Sequence, residues 1–216
     1  MSKVGNDIVK AVKVLLAESI LFARGGNLSA RYEKDKIVVT ASGKDYLHIK
    51  EDDLIIVDYD GNIVKGDKRP SSELPMHLAI YRARADVQAI IHTHAVWPYI
   101  LSVCHQNLPP ISDEFTILLG GEIKVSKYAF PGTRELAENV VEALGSNNAA
   151  LIANHGCVTV GKSVEEALEN MIILANFSKV YVLAKIFGKP YTIPEWAIEK
   201  EKEMYKQLRG NLKDHI

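Results

Sequence analysis

Three of the chain's seven histidines fall in a pattern with chemical meaning. His92 and His94 are one residue apart at the end of the apolar run Val87 to Ile91. Alternate side chains of a strand share a face, so both imidazoles point the same way and can grip one ion. A third histidine stands in Asn154-His155-Gly156, again after an apolar run, with a glycine that permits a sharp turn. Three neutral imidazoles with a fourth position open make the donor set of a catalytic Zn²⁺ site, where the metal is a Lewis acid. Imidazole also suits Fe, Co or Ni. A histidine pair at a strand end is equally well explained by ordinary hydrogen bonds, and spacing alone leaves both readings open.

Three short polar segments surround this pattern. Ser71-Ser72-Glu73-Leu74-Pro75 sets two hydroxyls and a carboxylate before a proline, a residue favoured in the first turn of a helix. The free N–H groups and positive dipole end of a helix suit an anion, while simple N-capping by Ser or Glu needs no ligand. Gly25-Gly26-Asn27-Leu28-Ser29 and Thr40-Ala41-Ser42-Gly43 are small polar turns of the type that lets backbone amides approach a phosphate. His77 lies four residues after Glu73, within reach across one helical turn, and reads as a packed or hydrogen-bonded supporting residue. His48, His105 and His215 have no partners in sequence, and Cys157 reads as a small buried hydrophobe.

Elements that position these residues follow from periodicity. Ile8, Val12, Leu15 and Leu16 repeat at helical spacing behind a cap at Asn6, and Arg24-Gly25-Gly26-Asn27 ends that helix. Lys36–Thr40 reads as a strand, and Leu54–Asp58 with Asn62–Val64 flank Asp60-Gly61 as a hairpin. A helix starts at Pro75, a strand runs over Val87 to Ile91, and a helix spans Ala95 to Cys104. Short strands and loops are expected from Ile111 to Phe130. Thr133 opens a helix to Leu144, Ala149–Ala153 and Gly156–Val160 are strands, and the capping box Ser163-Val-Glu-Glu166 opens a helix to Phe187. A tail helix follows Pro194, within residues 190–216. Irregular interleaving of strands and helices predicts an α/β sandwich, a central mainly antiparallel or mixed sheet covered by helices, in one domain over 1–216.

Composition excludes several classes. With 26 Lys+Arg against 27 Asp+Glu the formal charge is −1, without the basic excess of a nucleic-acid binder. At 47% hydrophobic and 25% charged residues the chain is a globular one. Two cysteines without a C-x-x-C make no disulfide framework and point to a reducing compartment. The apolar tracts read as too interrupted for a membrane span or export signal, so a cytoplasmic protein is expected.

In order, Gly26-Asn27-x-Ser29, Ser42-Gly43, Ser71-Ser72-Glu73, His92-Thr93-His94, Phe130-Pro-Gly-Thr133 and Asn154-His155-Gly156 closely resemble the class II aldolase/adducin family, in particular its metal-dependent fuculose-phosphate type. The match runs from about residue 5 to about residue 187, and the ordered set is far more specific than any member. The resemblance implies a homotetramer with active sites between subunits and a small phosphorylated sugar as substrate. It implies Zn²⁺, or another divalent transition metal, on His92, His94 and His155. Glu73 would be a fourth ligand and then the general acid/base, and Gly26, Asn27, Ser42, Gly43, Ser71 and Ser72 would hold the phosphate. The implied reaction cleaves a ketose 1-phosphate, like L-fuculose 1-phosphate, to dihydroxyacetone phosphate and a short aldehyde through a metal-stabilised enediolate. One departure stands out: where such aldolases carry a Tyr from the neighbouring subunit, this chain has Asp113-Glu114, with Glu114 at the matching position. Relatives with an acidic residue there epimerise pentulose phosphates at C4 or dehydrate methylthioribulose 1-phosphate, so both outcomes stand as alternatives, as does a solvated loop pair. The family also holds metal-free adducin-like assembly modules, a reading weakened by the retained histidines and Glu73.

Overall fold

Runs such as Lys36-Ile-Val-Val-Thr40 and Leu54-Ile-Ile-Val-Asp58 are apolar on consecutive residues because the sheet they join is covered on both faces. The structure, a computed structural model, describes residues 3–22 and 25–210. The strands are β1 (Asn27–Tyr32), β2 (Lys36–Thr40), β3 (Leu54–Asp58), β4 (Ile63–Lys65), β5 (Ala89–Thr93), β6 (Ala149–Ile152) and β7 (Gly156–Gly161). They form one sheet in the order β4-β3-β2-β1-β5-β7-β6, with every neighbouring pair antiparallel. The helices are α1 (Lys3–Ala17), α2 (Leu74–Ala83), α3 (Val96–Val103), α4 (Asp113–Leu119), α5 (Arg134–Leu144), α6 (Val164–Phe187) and α7 (Glu195–Gly210).

Side-chain alternation along the strands splits the core in two. Leu28, Val38, Ile91 and Cys157 face a layer that includes Ile8 and Val12 of α1 and Met171 and Leu174 of α6. Val39, Val57, Ile90 and Val158 face the opposite way, against Ile80 of α2 and Val140 of α5. The expected α/β sandwich is therefore present, and the sheet is antiparallel throughout.

Three elements differ from the sequence reading. Asn27–Tyr32, read in part as a polar turn, is the central strand β1; its polar residues Asn27 and Ser29 are buried and satisfied by side chains of α2. Within the segment expected to be strands and loops, Asp113–Leu119 is helical, because Ser112 Oγ caps it by accepting from Phe115 N. Helix α1 begins at Lys3, ahead of the expected cap at Asn6. The box at Ser163 forms, with Ser163 Oγ accepting from Glu166 N. Arg24, His215 and the tail beyond Gly210 lie outside the described residues.

Helix α6 is 24 residues long and, with mean hydropathy 1.3 in its most apolar stretch, meets the length and composition of a membrane-crossing helix. Its buried residues pack against β5, β7, α1, α3 and α4, which accounts for part of that apolar character, while Val180, Ile186 and Phe187 are exposed. Charged residues interrupt the helix, so the sequence alone does not mark it as a spanning tract.

The loop after β2 carries Ser42 and Gly43, and buried Asp53 pins it by pairing with Lys44 at 2.9 Å and with Lys68. Burial pushes the Asp53 carboxyl up, but the two ammonium groups and the Lys50 N–H outweigh this and pull it to about 2. A depressed carboxyl pKa stabilises the fold above the unfolded value near 3.8, and this contribution disappears as pH falls towards about 2. Asp53→Asn is expected to cost about 1–3 kcal/mol at pH 7. Urea titrations of variant and wild type will show that gap narrowing between about pH 4 and pH 2.

Candidate metal and phosphate site

Three strand ends and one helix start converge at one edge of the sheet. His92 sits in β5 opposite Asn27 of β1, while Thr93 pairs with Cys157 of β7, which brings His94 and His155 beside each other. The three imidazole centroids lie 4.9–5.1 Å apart. His92 Nδ1 donates to the Cys157 carbonyl at 2.8 Å, which turns its Nε2 to the cluster. His92 Nε2 and His94 Nε2 are 3.2 Å apart. That separation is close to the edge of a tetrahedron of ligands about 2.0–2.1 Å from a central ion, about 3.3 Å.

Glu73, buried at the start of α2, closes the cluster. Its Oε2 lies 2.9 Å from His92 Nε2 and its Oε1 3.2 Å from His155 Nε2. Its side chain makes no capping bond to α2; Ser71 Oγ accepts from Glu73 N instead, so simple capping by Glu73 is not its use here. Burial pushes the Glu73 carboxyl up, but the His92 and His155 imidazoles and the Asn27 amide hold it well below the usual carboxylate range. Burial, reinforced by His92, pulls the His94 imidazole to about 4 and lowers His155 as well, so both are in the neutral form that ligates metal. Glu73 Oε1 and His155 Nδ1 are buried without a hydrogen-bond partner among the described residues. Imidazole nitrogens facing one another, a carboxylate and an orphaned oxygen make a donor set that fits a divalent cation.

Beside the histidines opens a cleft of about 220 Å³ lined by Gly26, Asn27, Ser42, Gly43, Ser71 and Ser72, with Glu73, His94 and His155 on its wall. All six residues singled out for phosphate therefore meet in one place. Asn27 has a second contact that the sequence did not reveal: its Nδ2 donates to Glu73 Oε2 at 3.0 Å. Pro131, from the turn before α5, also lines the cleft. Glu114 does not; it is exposed in the first turn of α4. Its neighbour Asp113 instead faces Glu201 of α7, whose carboxyl is pushed up by burial and by that like charge.

A family model described as "Class II Aldolase and Adducin N-terminal domain" matches residues 6–182. The chain belongs to the class II aldolase and adducin family. Among curated relatives, an L-fuculose phosphate aldolase of Methanocaldococcus jannaschii is 34% identical over 84% of this chain and 97% of its own length. A 5-deoxy-D-ribulose 1-phosphate aldolase of Bacillus thuringiensis is 29% identical over 92% and 93%. A solved structure of an L-fuculose 1-phosphate aldolase superposes with TM-score 0.91 and 35% identity, covering 95% of this chain and 97% of that one. Class II aldolases are aldehyde-lyases that use a divalent metal, and among the described residues His92, His94 and His155 form a cluster whose nitrogens could hold one.

The sequence marks His77 only as a supporting residue and Ser29 only as part of a polar turn and motif, and it does not mark Tyr81. Glu73, His77 and Tyr81 recur every fourth residue, so one stripe of α2 faces β1, a signal the sequence does contain. Close backbone approach holds the cluster together at Gly156, where a methyl would lie 2.4 Å from Thr93 O and 3.1 Å from the His94 ring. Gly156→Ala is expected to lower stability by about 1–3 kcal/mol through overpacking. It should also weaken divalent-metal binding about tenfold or more, read by competition with a chelator.

Proposed function

We propose that this chain is a Zn²⁺-dependent aldolase cleaving a ketose 1-phosphate of the L-fuculose 1-phosphate type to dihydroxyacetone phosphate and a short aldehyde. The observation that carries the reading is one cleft in which the phosphate-suited turns, a buried carboxylate and the imidazoles of His94 and His155 meet, with His92 clustered against them. The relatives named for fuculose phosphate and for 5-deoxyribulose 1-phosphate support a ketose phosphorylated at one end.

His92, His94 and His155 would hold the ion, with Glu73 as a fourth ligand until substrate arrives. When bound, such a cation supplies Lewis-acid stabilisation for the negative charge that carbon–carbon cleavage leaves on the ketose oxygens. The cleft residues Gly26, Asn27, Ser42, Gly43, Ser71 and Ser72 bind the phosphate, a remote anchor that fixes the reacting carbons. Breaking the C3–C4 bond turns the C4 hydroxyl into the aldehyde carbonyl, its proton released to solvent, and leaves the bond's electron pair in the enediolate of dihydroxyacetone phosphate. Glu73 acts as general acid and returns a proton to its carbon, and as general base in the reverse direction.

Glu114 has no place in the cleft of its own chain, and we assign it to the aldehyde end of a neighbouring subunit's site. A stripe of exposed apolar side chains on α3, Val96, Tyr99, Ile100 and Val103, follows directly on His94 and supports a subunit face beside the site, in a homotetramer. Both cysteines, Cys104 and Cys157, are free, in keeping with a single-domain cytoplasmic enzyme.

Incubation with dihydroxyacetone phosphate and lactaldehyde or glycolaldehyde should yield a new carbon–carbon bond. No condensation, with ribulose 5-phosphate or methylthioribulose 1-phosphate consumed instead, would sink the aldolase reading in favour of epimerase or dehydratase. Less than about half an equivalent of metal per chain after adding Zn²⁺ would point to an adducin-like module. Glu73→Gln should keep most of the metal yet slow solvent exchange of the hydroxymethyl hydrogen of dihydroxyacetone phosphate by about 10²–10⁴-fold. Val103→Asp should shift sedimentation from tetramer towards smaller species.

A further inference from the structure

Behind Glu73 lies a line of buried polar side chains, of which the reaction above uses only Asn27. Asn27 Oδ1 is 2.6 Å from His77 Nε2, His77 Nδ1 is 2.6 Å from Ser29 Oγ, and Ser29 Oγ is 2.9 Å from Tyr81 Oη. None of the four residues is more than 4% exposed, so water does not stand in for any link.

The chemistry of the donors orders this line in one direction. A carboxylate only accepts, so Asn27 presents its NH₂ to Glu73 Oε2 and its carbonyl oxygen to His77. That carbonyl also only accepts, so His77 Nε2 carries the proton. A neutral imidazole then has a bare Nδ1, which takes the Ser29 hydroxyl proton, and Ser29 Oγ accepts in turn from Tyr81. Every hydrogen bond thus points towards Glu73, and aligned bonds polarise one another.

We propose that Tyr81, Ser29, His77 and Asn27 form a one-directional relay that anchors Glu73 Oε2 and leaves Oε1 as the oxygen that moves the proton. The proposal rests on Glu73 as acid/base. His77 is its central positioning residue, because only its tautomer links the acceptor side of Asn27 to the donor side of Ser29. The other carboxylate oxygen fits the assignment: Oε1 is buried without a hydrogen-bond partner among the described residues and faces His155.

Two substitutions separate positioning from mere packing. Glutamine can place an amide N–H where His77 Nε2 donates, whereas asparagine reaches only the Nδ1 position. With dihydroxyacetone phosphate alone as probe, His77→Asn should slow maximal hydrogen exchange by about tenfold or more and His77→Gln by less than about threefold, with half-saturation unchanged within about twofold. In the resting protein, ¹⁵N NMR should show His77 protonated at Nε2 and bare at Nδ1. An Nδ1–H tautomer would overturn the relay. So would equal losses in both variants accompanied by equal falls in Tm and bound metal. Wild-type exchange in His77→Asn alongside slow exchange in Glu73→Gln would remove the relay and leave Glu73 its role. Wild-type exchange in Glu73→Gln would instead remove that role and the relay with it.

Discussion

Burying a carboxylate costs several kcal/mol unless positive charge or donors meet it, and Glu73 is the buried carboxylate around which this molecule is arranged. Two imidazole nitrogens approach its two oxygens, and one amide donates to Oε2. The His155 imidazole, like that of neighbouring His94, is held towards the neutral form, which suits both to ligate but lessens their value as counter-charges. A divalent cation would resolve the conflict, because it would compensate the carboxylate and satisfy the imidazole nitrogens at once. The site is therefore more costly to maintain than a hydrophobic core of the same volume, as expected where chemistry sets the sequence.

The antiparallel sheet makes that cluster affordable to position. Neighbouring strands set Asn27 opposite His92, and Thr93 opposite Cys157, so three chain segments far apart in sequence arrive in fixed register. Glycines then bring backbone against backbone where a side chain would intrude. Gly26, at φ 88°, has the His92 carbonyl only 2.5 Å from where its Cβ would be. Buried Tyr46 donates to the Gly26 carbonyl and holds that turn in place. Strand β5 carries His92, and His94 and His155 stand just beyond the ends of β5 and β7, while exposed turns carry Ser42, Gly43 and Ser72, a division that would suit a fixed reacting centre with a solvent-reachable anion anchor.

Much of this was legible beforehand. The H-x-H spacing, the histidine before Gly156 and the Ser-Ser-Glu-x-Pro helix start each state local chemistry, and local chemistry is carried by residue type and short-range periodicity. The apolar runs located most strands for the same reason. β1 escaped because its core face includes Asn27 and Ser29, whose polarity reads as a turn until α2 supplies buried partners. Helix α4 escaped because its seven residues hold too few turns for periodicity to show. Glu114 was singled out by likeness alone, and one chain's packing leaves it at the surface.

By itself, then, the sequence determined which residue types are present to hold a cation and an anion, and that a two-faced apolar sheet would carry them. Only the tertiary structure decided that Glu73 turns away from its own helix, that Asn27 binds the carboxylate as well as lining the cleft, and that His77, Ser29 and Tyr81 stand in line behind it. The physical reason is that each of these is a satisfaction of buried donors and acceptors between β1 and α2, segments some fifty residues apart, and no local pattern encodes which distant group will answer a polar side chain once water is gone.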